Sequence, residues 1–123
     1  MKATFSKKEK LKSTKEIELL FQEGQSLKKF PVLLVYRESS DGKEIGIKAA
    51  VSVSKKKFKR AVDRNRIKRL LREAYRLQKA EVLNECTRSY SLMLIYIGKE
   101  MPDYHFLSKK INFLLNAFAE KVK

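Results

Sequence analysis

The run Ser52-Val53-Ser54-Lys55-Lys56-Lys57-Phe58-Lys59-Arg60-Ala61-Val62-Asp63-Arg64-Asn65-Arg66-Ile67-Lys68-Arg69-Leu70-Leu71-Arg72 decides how this chain is built. Its first residues close a strand that runs from Ile45 to Ser54. A lysine-rich loop follows, and the remainder opens a helix expected from about Val62 to Lys79. At 100° per residue, Ile67, Leu70, Leu71, Ala74 and Leu77 share one face, the side that must pack on a sheet. Asn65, Lys68, Arg69, Arg72, Arg76 and Lys79 cluster on the opposite side. Between Lys55 and Lys79 stand twelve Lys or Arg and two acids, Asp63 and Glu73, so the segment carries +10 of the chain's +15. A field this dense on one element is costly in self-repulsion unless a polyanion takes it up. The expected polyanion is a nucleic acid.

The bland alternative for this helix is a solvated charged face. That reading needs Glu and Lys in offsetting i, i+4 pairs, whereas here the basic residues far outnumber the acids. Arginine also offers a planar fork that holds a phosphate bidentately, which lysine does not.

Outward from the helix, Phe30 to Arg37 reads as a strand with Pro31 at its start. Val32, Leu34 and Tyr36 fall on one side, Leu33 and Val35 on the other. Ser39-Ser40-Asp41-Gly42 supplies a turn, so the strand at Ile45 is expected to pair antiparallel with the first across a hairpin. Leu92 to Ile97 is apolar on both faces, as a central strand requires. Strand, helix and strand in this order suggest a βαβ unit. A last helix starts near Asp103, with Leu107, Ile111, Leu114, Leu115 and Phe118 as its buried stripe. Toward the N-terminus, Ser13 and Glu16 form a capping-box pattern. Ile17, Leu20 and Phe21 then recur on one face, and Gly24 is a natural stop. Residues 1 to about 12 read as a flexible basic arm.

At 123 residues and 43% apolar composition the chain is expected to form one domain with its own core, despite its charge. The single cysteine, Cys86, excludes an internal disulfide and reads as a small part-buried side chain. The N-terminus has positive charge but no apolar stretch behind it, so no signal peptide is expected. No apolar run approaches the length that spans a bilayer, and a soluble, cytoplasmic protein is expected. An anionic membrane surface is a poorer partner than a nucleic acid, because the basic face is rich in Arg and Asn, which suit phosphate and base edges.

Chemistry of the chain's own is hard to find. A two-metal nuclease gathers two or three carboxylates at its ions, whereas the acids here are scattered among lysines. His105 is the only histidine, so no histidine pair exists for acid–base work. No P-loop is present, and four glycines make no phosphate cradle. A serine-nucleophile elbow is also missing. The protein alone does not read as a catalyst.

The strand end Ser52-Val53-Ser54-Lys55-Lys56, then Ala61-Val62, then Arg64-Asn65-Arg66-Ile67-Lys68-Arg69 with Arg72 and Arg76, closely resembles the bacterial ribonuclease P protein subunit. The order of elements agrees over nearly the whole chain. The resemblance implies an α/β sandwich of the α+β kind, with a four-stranded mixed sheet, three helices and a left-handed βαβ crossover. Three of those strands are legible above. It further implies an accessory to a catalytic RNA that removes the 5′ leader of precursor tRNA, with the Mg²⁺ ions held mainly by the RNA. The protein itself would be monomeric outside the holoenzyme.

Carried onto this sequence, Arg64, Asn65, Arg66, Lys68, Arg69 and Arg72 would contact the catalytic RNA core. Lys55 and Lys56 would lie at the edge of that surface, and Arg60 and Arg76 would belong to it. A second surface, a cleft between the first helix and one sheet face, would hold the single-stranded leader. Its aromatic positions fall at Phe21 and at Ile17, where one stacking surface is lost, with Tyr36 as a strand contribution. The other reading of Phe21 is ordinary core between helix and sheet. Two other functions share the charge: a non-catalytic RNA-binding module such as a ribosomal protein, and a DNA-binder with the Arg helix in a major groove.

Overall fold

In the computed structural model, which describes residues 11, 14–38, 46–82 and 88–122, the chain is assembled on one central strand, β4 (Ser89–Tyr96). The other elements are α1 (Thr14–Glu23), β1 (Gln25–Lys29), β2 (Val32–Glu38), β3 (Gly46–Val53), α2 (Ala61–Val82) and α3 (Tyr104–Lys121). The Ser39–Gly42 turn, Cys86, the Ser13 half of the capping box and residues 1–10 of the basic arm lie outside the described residues.

The sheet order is β1-β2-β4-β3. β2 runs antiparallel to β4, with Leu34 opposite Leu94, and β3 runs parallel to it, with Val51 opposite Leu94. The expected β2–β3 hairpin pairing therefore does not form, because β4 is inserted between the two strands. The reason is hydrophobic: Leu92, Met93 and Leu94 are all buried, so both faces of β4 are covered. A strand of that kind is most stable with its backbone groups paired on both sides.

The fourth strand is β1, with the sequence Gln25-Ser26-Leu27-Lys28-Lys29, paired antiparallel to β2. It carries one apolar residue, so alternation does not reveal it. Lysines on an edge strand discourage pairing with other chains, and this strand is at the edge. The two are joined at Phe30-Pro31, a cis peptide bond.

The faces of the sheet carry unequal cores. On one, Val32, Leu34, Tyr36, Leu92 and Leu94 pack against α2 and α3. All five α3 residues expected in its stripe are fully buried. Asp103 caps this helix, its carboxylate accepting from the Phe106 amide at 3.3 Å. Burying one such leucine is worth roughly 1.5–3 kcal/mol relative to leaving it exposed. On α2, Ile67, Leu71 and Ala74 are buried as expected and Leu70 is partly so, but Leu77 is 49% exposed and Tyr75 takes a core place. The stripe has turned toward α3, to which the Gln78 amide donates through the Ser108 carbonyl at 3.1 Å. A second helix thus competes with the sheet for the α2 face.

The opposite face carries α1 and a small cluster of Leu11, Leu20, Val35 and Met93. Leu11, assigned to the flexible arm, is buried, and its amide donates to the Ala49 carbonyl at 2.8 Å. Gly24 makes the tight passage from α1 to β1. A Cβ there would sit 2.2 Å from the Leu20 carbonyl oxygen and 3.0 Å from Val35 Cγ1.

The hand of the β3–α2–β4 crossover follows from one hydrogen bond. The Ile97 amide donates to the Pro31 carbonyl at 2.8 Å. Odd-numbered residues of β4 therefore pair with β2 and even-numbered ones with β3. Even-numbered side chains such as Leu92 and Leu94 face α2 and α3. For an L-residue in an upward strand with its side chain toward the viewer, N–H and C=O point right, a consequence of chirality. Seen from α2 with β4 upward, β3 stands to the right, and the chain crosses leftward. The crossover is left-handed, against the hand of nearly all such units.

Candidate nucleic-acid interface

The basic helix presents its charge unevenly. Asn65, Arg66, Arg69 and Arg72 are exposed, and Lys68 is half-buried beside them. The half-buried Arg64 has another task, for its Nη1 donates to the carbonyls of Phe58 and Lys59, both at 2.8 Å. These two bonds hold the loop between β3 and α2 against the first turn of the helix. The Phe58 amide closes the loop onto Ser54 at 3.1 Å, and the buried Phe58 ring lies 6.0 Å from that of Tyr96. The Lys57 ammonium donates to the Ile97 carbonyl. Phe58 is thus a local anchor. Lys55, Lys56, Lys59 and Arg60 are left exposed on a loop held in place.

Arg76 is half-buried and ion-paired with Glu73 one turn earlier. Its hydrogen bond to Glu73 raises the guanidinium pKa, and the same bond, ahead of all other causes, lowers that of the Glu73 carboxyl. The Arg76 charge is therefore partly offset within the helix. Burial, with a smaller contribution from Glu100, raises the pKa of the Tyr96 phenol. Its hydroxyl donates to the Glu100 carbonyl at 2.6 Å, so the ring that supports Phe58 is itself tethered.

The α1 side of the sheet holds a second candidate surface. Arg37 on β2 reaches Glu23 at 3.1 Å and Glu16 at 4.0 Å, and the Ser91 hydroxyl donates to Glu16 at 3.2 Å. These contacts fasten one flank of α1 to the sheet. On the other flank Ile17 is half-buried and Phe21 is 57% exposed, so Phe21 is not ordinary core. Beside the small cluster, Leu33, Ile95 and Ser52 stand in register across β2, β4 and β3, each half-buried. Exposed Lys28 continues this row on β1, opposite Leu33.

Tyr36 does not join Phe21. It lies in the α2–α3 core, 7% exposed, its ring edge-on to Phe118 at 5.0 Å and its hydroxyl donating to Gln25 Oε1 at 2.9 Å. Strand parity is the reason, since Tyr36 shares a side with Val32 and Leu34 while α1 covers the side of Leu33 and Val35. The same parity, applied to β2 and Leu92–Ile97, would have found Leu33 and Ile95. Lys28 carried no signal, because its strand was not legible.

Among the described residues, no three His, Cys, Asp or Glu side chains gather as a metal centre would need. No helix among them is long and apolar enough to cross a membrane.

The sequence profile of the family described as Ribonuclease P matches residues 5–119. The chain belongs to the ribonuclease P protein family. It is 38% identical to the ribonuclease P protein component of Porphyromonas gingivalis strain ATCC 33277 over 125 aligned residues, covering 98% of this chain and 91% of that one. The corresponding component of Chlorobium phaeobacteroides is 33% identical, with 89% and 84% covered. The fold agrees with solved ribonuclease P proteins. The Staphylococcus aureus structure superposes with a TM-score of 0.73 at 19% identity, covering 93% of this chain and 96% of that one. The Thermotoga maritima structure gives 0.71 at 24%, covering 89% and 96%. The three helices and the four-stranded mixed sheet are those of the ribonuclease P fold.

Proposed function

We propose that this chain is the protein subunit of ribonuclease P and works by positioning RNA, with bond cleavage performed in the RNA subunit. The observation that carries the reading is the cationic face of α2, with Asn65, Arg66, Arg69 and Arg72 exposed beside a loop that Arg64 holds fixed. A loop ordered before binding does not lose that freedom again when RNA arrives, so more of the contact energy appears as affinity. Arginine forks bind the phosphates of the catalytic RNA core, and Asn65 adds both a donor and an acceptor. Arg64 acts through the loop, and Arg76 contributes less because Glu73 holds it.

The groove beside α1 receives the 5′ leader of precursor tRNA. Phe21 offers a base an exposed stacking face, Leu33 and Ile95 an apolar floor, and Lys28 a charge for the backbone. Among the described residues the carboxylates do not gather in threes as a protein-borne Mg²⁺ centre would need, and Glu16, Glu23 and Glu73 are already engaged with Arg37 and Arg76. The Mg²⁺ ions are held by the RNA and supply the activated water there. Within the holoenzyme, in the cytoplasm, the protein neutralises charge and aligns the substrate; outside the holoenzyme it is a monomer.

The test is cleavage of precursor tRNA by the RNA subunit at low Mg²⁺, with and without this protein. Stimulated release of the leader is expected. A ribosomal protein would bind RNA without stimulation, and a duplex-DNA reader would prefer DNA over the precursor at equal salt. Either result would overturn the reading.

A further inference from the structure

We propose that the flank formed by β1 and α3 is a second single-stranded RNA surface, which takes the upstream part of the leader after it leaves the α1 groove. The proposal rests on the groove reading above. Along α3, Phe106, Lys110, Phe113 and Ala117 recur with helical spacing, on the side away from the Ser108 contact to α2. Phe106 is 44% and Phe113 51% exposed. Neither ring is left to bare water. The Lys110 ammonium lies 5.1 Å from the centre of the Phe106 ring, and Lys29 of β1 reaches over Phe113 at 4.5 Å. Phe30, next to Lys29, is also exposed.

One exposed phenylalanine needs no explanation. Two rings on one helix face, each with a lysine over it, form the alternation of stacking surface and cation that an unpaired nucleotide strand uses. The charge favours that occupant. Lys28, Lys29, Lys109 and Lys110 lie on β1 and α3, whereas Glu120, near the end of α3, is the single acid within the two elements. An apolar peptide partner would have no use for that balance. The two rings are seven positions apart, about 10 Å along the axis, so each is a separate stacking face.

Continuity with the groove comes from β1. Lys28 stands on the groove side opposite Leu33, and Lys29 on the α3 side opposite Val32. They are consecutive residues of an edge strand. A leader passing Lys28 has only to round that edge to meet Lys29 and Phe113.

The experiment measures precursor binding by the reconstituted holoenzyme. One precursor carries a leader that ends within the groove, the other the same leader extended upstream by unpaired uridines. The F106A/F113A double variant should bind the extended precursor at least about fivefold more weakly, since one lost stack is worth ~1 kcal/mol or more and 1.4 kcal/mol is tenfold. It should bind the short precursor unchanged and keep its circular dichroism spectrum. Phe113→Tyr, which retains a ring, should keep the extended-leader affinity. Phe21→Ala should weaken both precursors, and if it weakens neither, the groove reading fails by itself. Equal losses on both leaders would make the RNA subunit the occupant and overturn the proposal. So would no loss on either, or a self-association of the free protein that the double variant abolishes.

Discussion

Arg64 and Arg72 lie two turns apart on α2, and their sequence context alone gives them the same role. The structure separates them, because Arg64 spends its guanidinium on two loop carbonyls while Arg72 is exposed. Arg64→Ala should therefore cost about 1 to 2 kcal/mol of stability through lost charge-assisted hydrogen bonds, together with RNA affinity. Arg64→Lys should restore part of the stability, since both bonds come from one nitrogen and an ammonium also has donors for two carbonyls, from a shorter side chain. Arg72→Ala should leave stability within about 0.5 kcal/mol and still weaken the RNA complex. Chemical denaturation beside a binding titration checks both, and equal stability losses would contradict the separation. Phe21→Ala should behave like Arg72→Ala in denaturation, because its ring is largely solvent-exposed. A fully buried phenylalanine would lose about 3–5 kcal/mol on the same change.

At the scale of the element, α2 has two packing partners, and the side chains report both. Ile67 is fully buried, whereas Leu77, ten residues later, is 49% exposed. Ile67→Asp should unfold the domain by burying an unpaired carboxylate. Leu77→Asp should leave the circular dichroism spectrum and melting temperature close to the parent's. If both variants unfold, the apolar stripe is the one expected from periodicity, and its turn toward α3 is wrong. Periodicity located α2 to within a few residues at each end, and the α3 stripe in full, because each signal extends over several turns. It did not reveal β1, whose five residues hold a single apolar side chain. Such an edge strand is decided by its partner β2.

Over the whole molecule, charge is asymmetric. Two thirds of the net +15 lies between Lys55 and Lys79, within α2 and the loop before it. Complex formation with the RNA subunit should thus depend steeply on salt, with each neutralised phosphate adding roughly 0.7–0.9 to the log–log slope. A titration across ionic strength measures it, and a nearly flat line would exclude a mainly electrostatic interface. The Glu73–Arg76 pair should lower the slope below the count of basic residues, since Glu73 already offsets that charge.

The Ser52–Arg72 run determined by itself that a strand passes through a cationic loop into an amphipathic helix, and that the expected partner is a nucleic acid. Local spacing and charge are properties of adjacent residues, so they survive without a fold. The exposed positions of Asn65, Arg69 and Arg72 were legible for that reason. Long-range pairing decided the rest. Placing β4 between β2 and β3, with α2 over the Leu92 and Leu94 face, set the left hand of the crossover, and strand parity sent Tyr36 to the α2–α3 core while leaving Leu33 and Ile95 beside α1. Those choices depend on which faces the helices cover, a competition among apolar surfaces far apart in the chain. Only the assembled tertiary structure settles it.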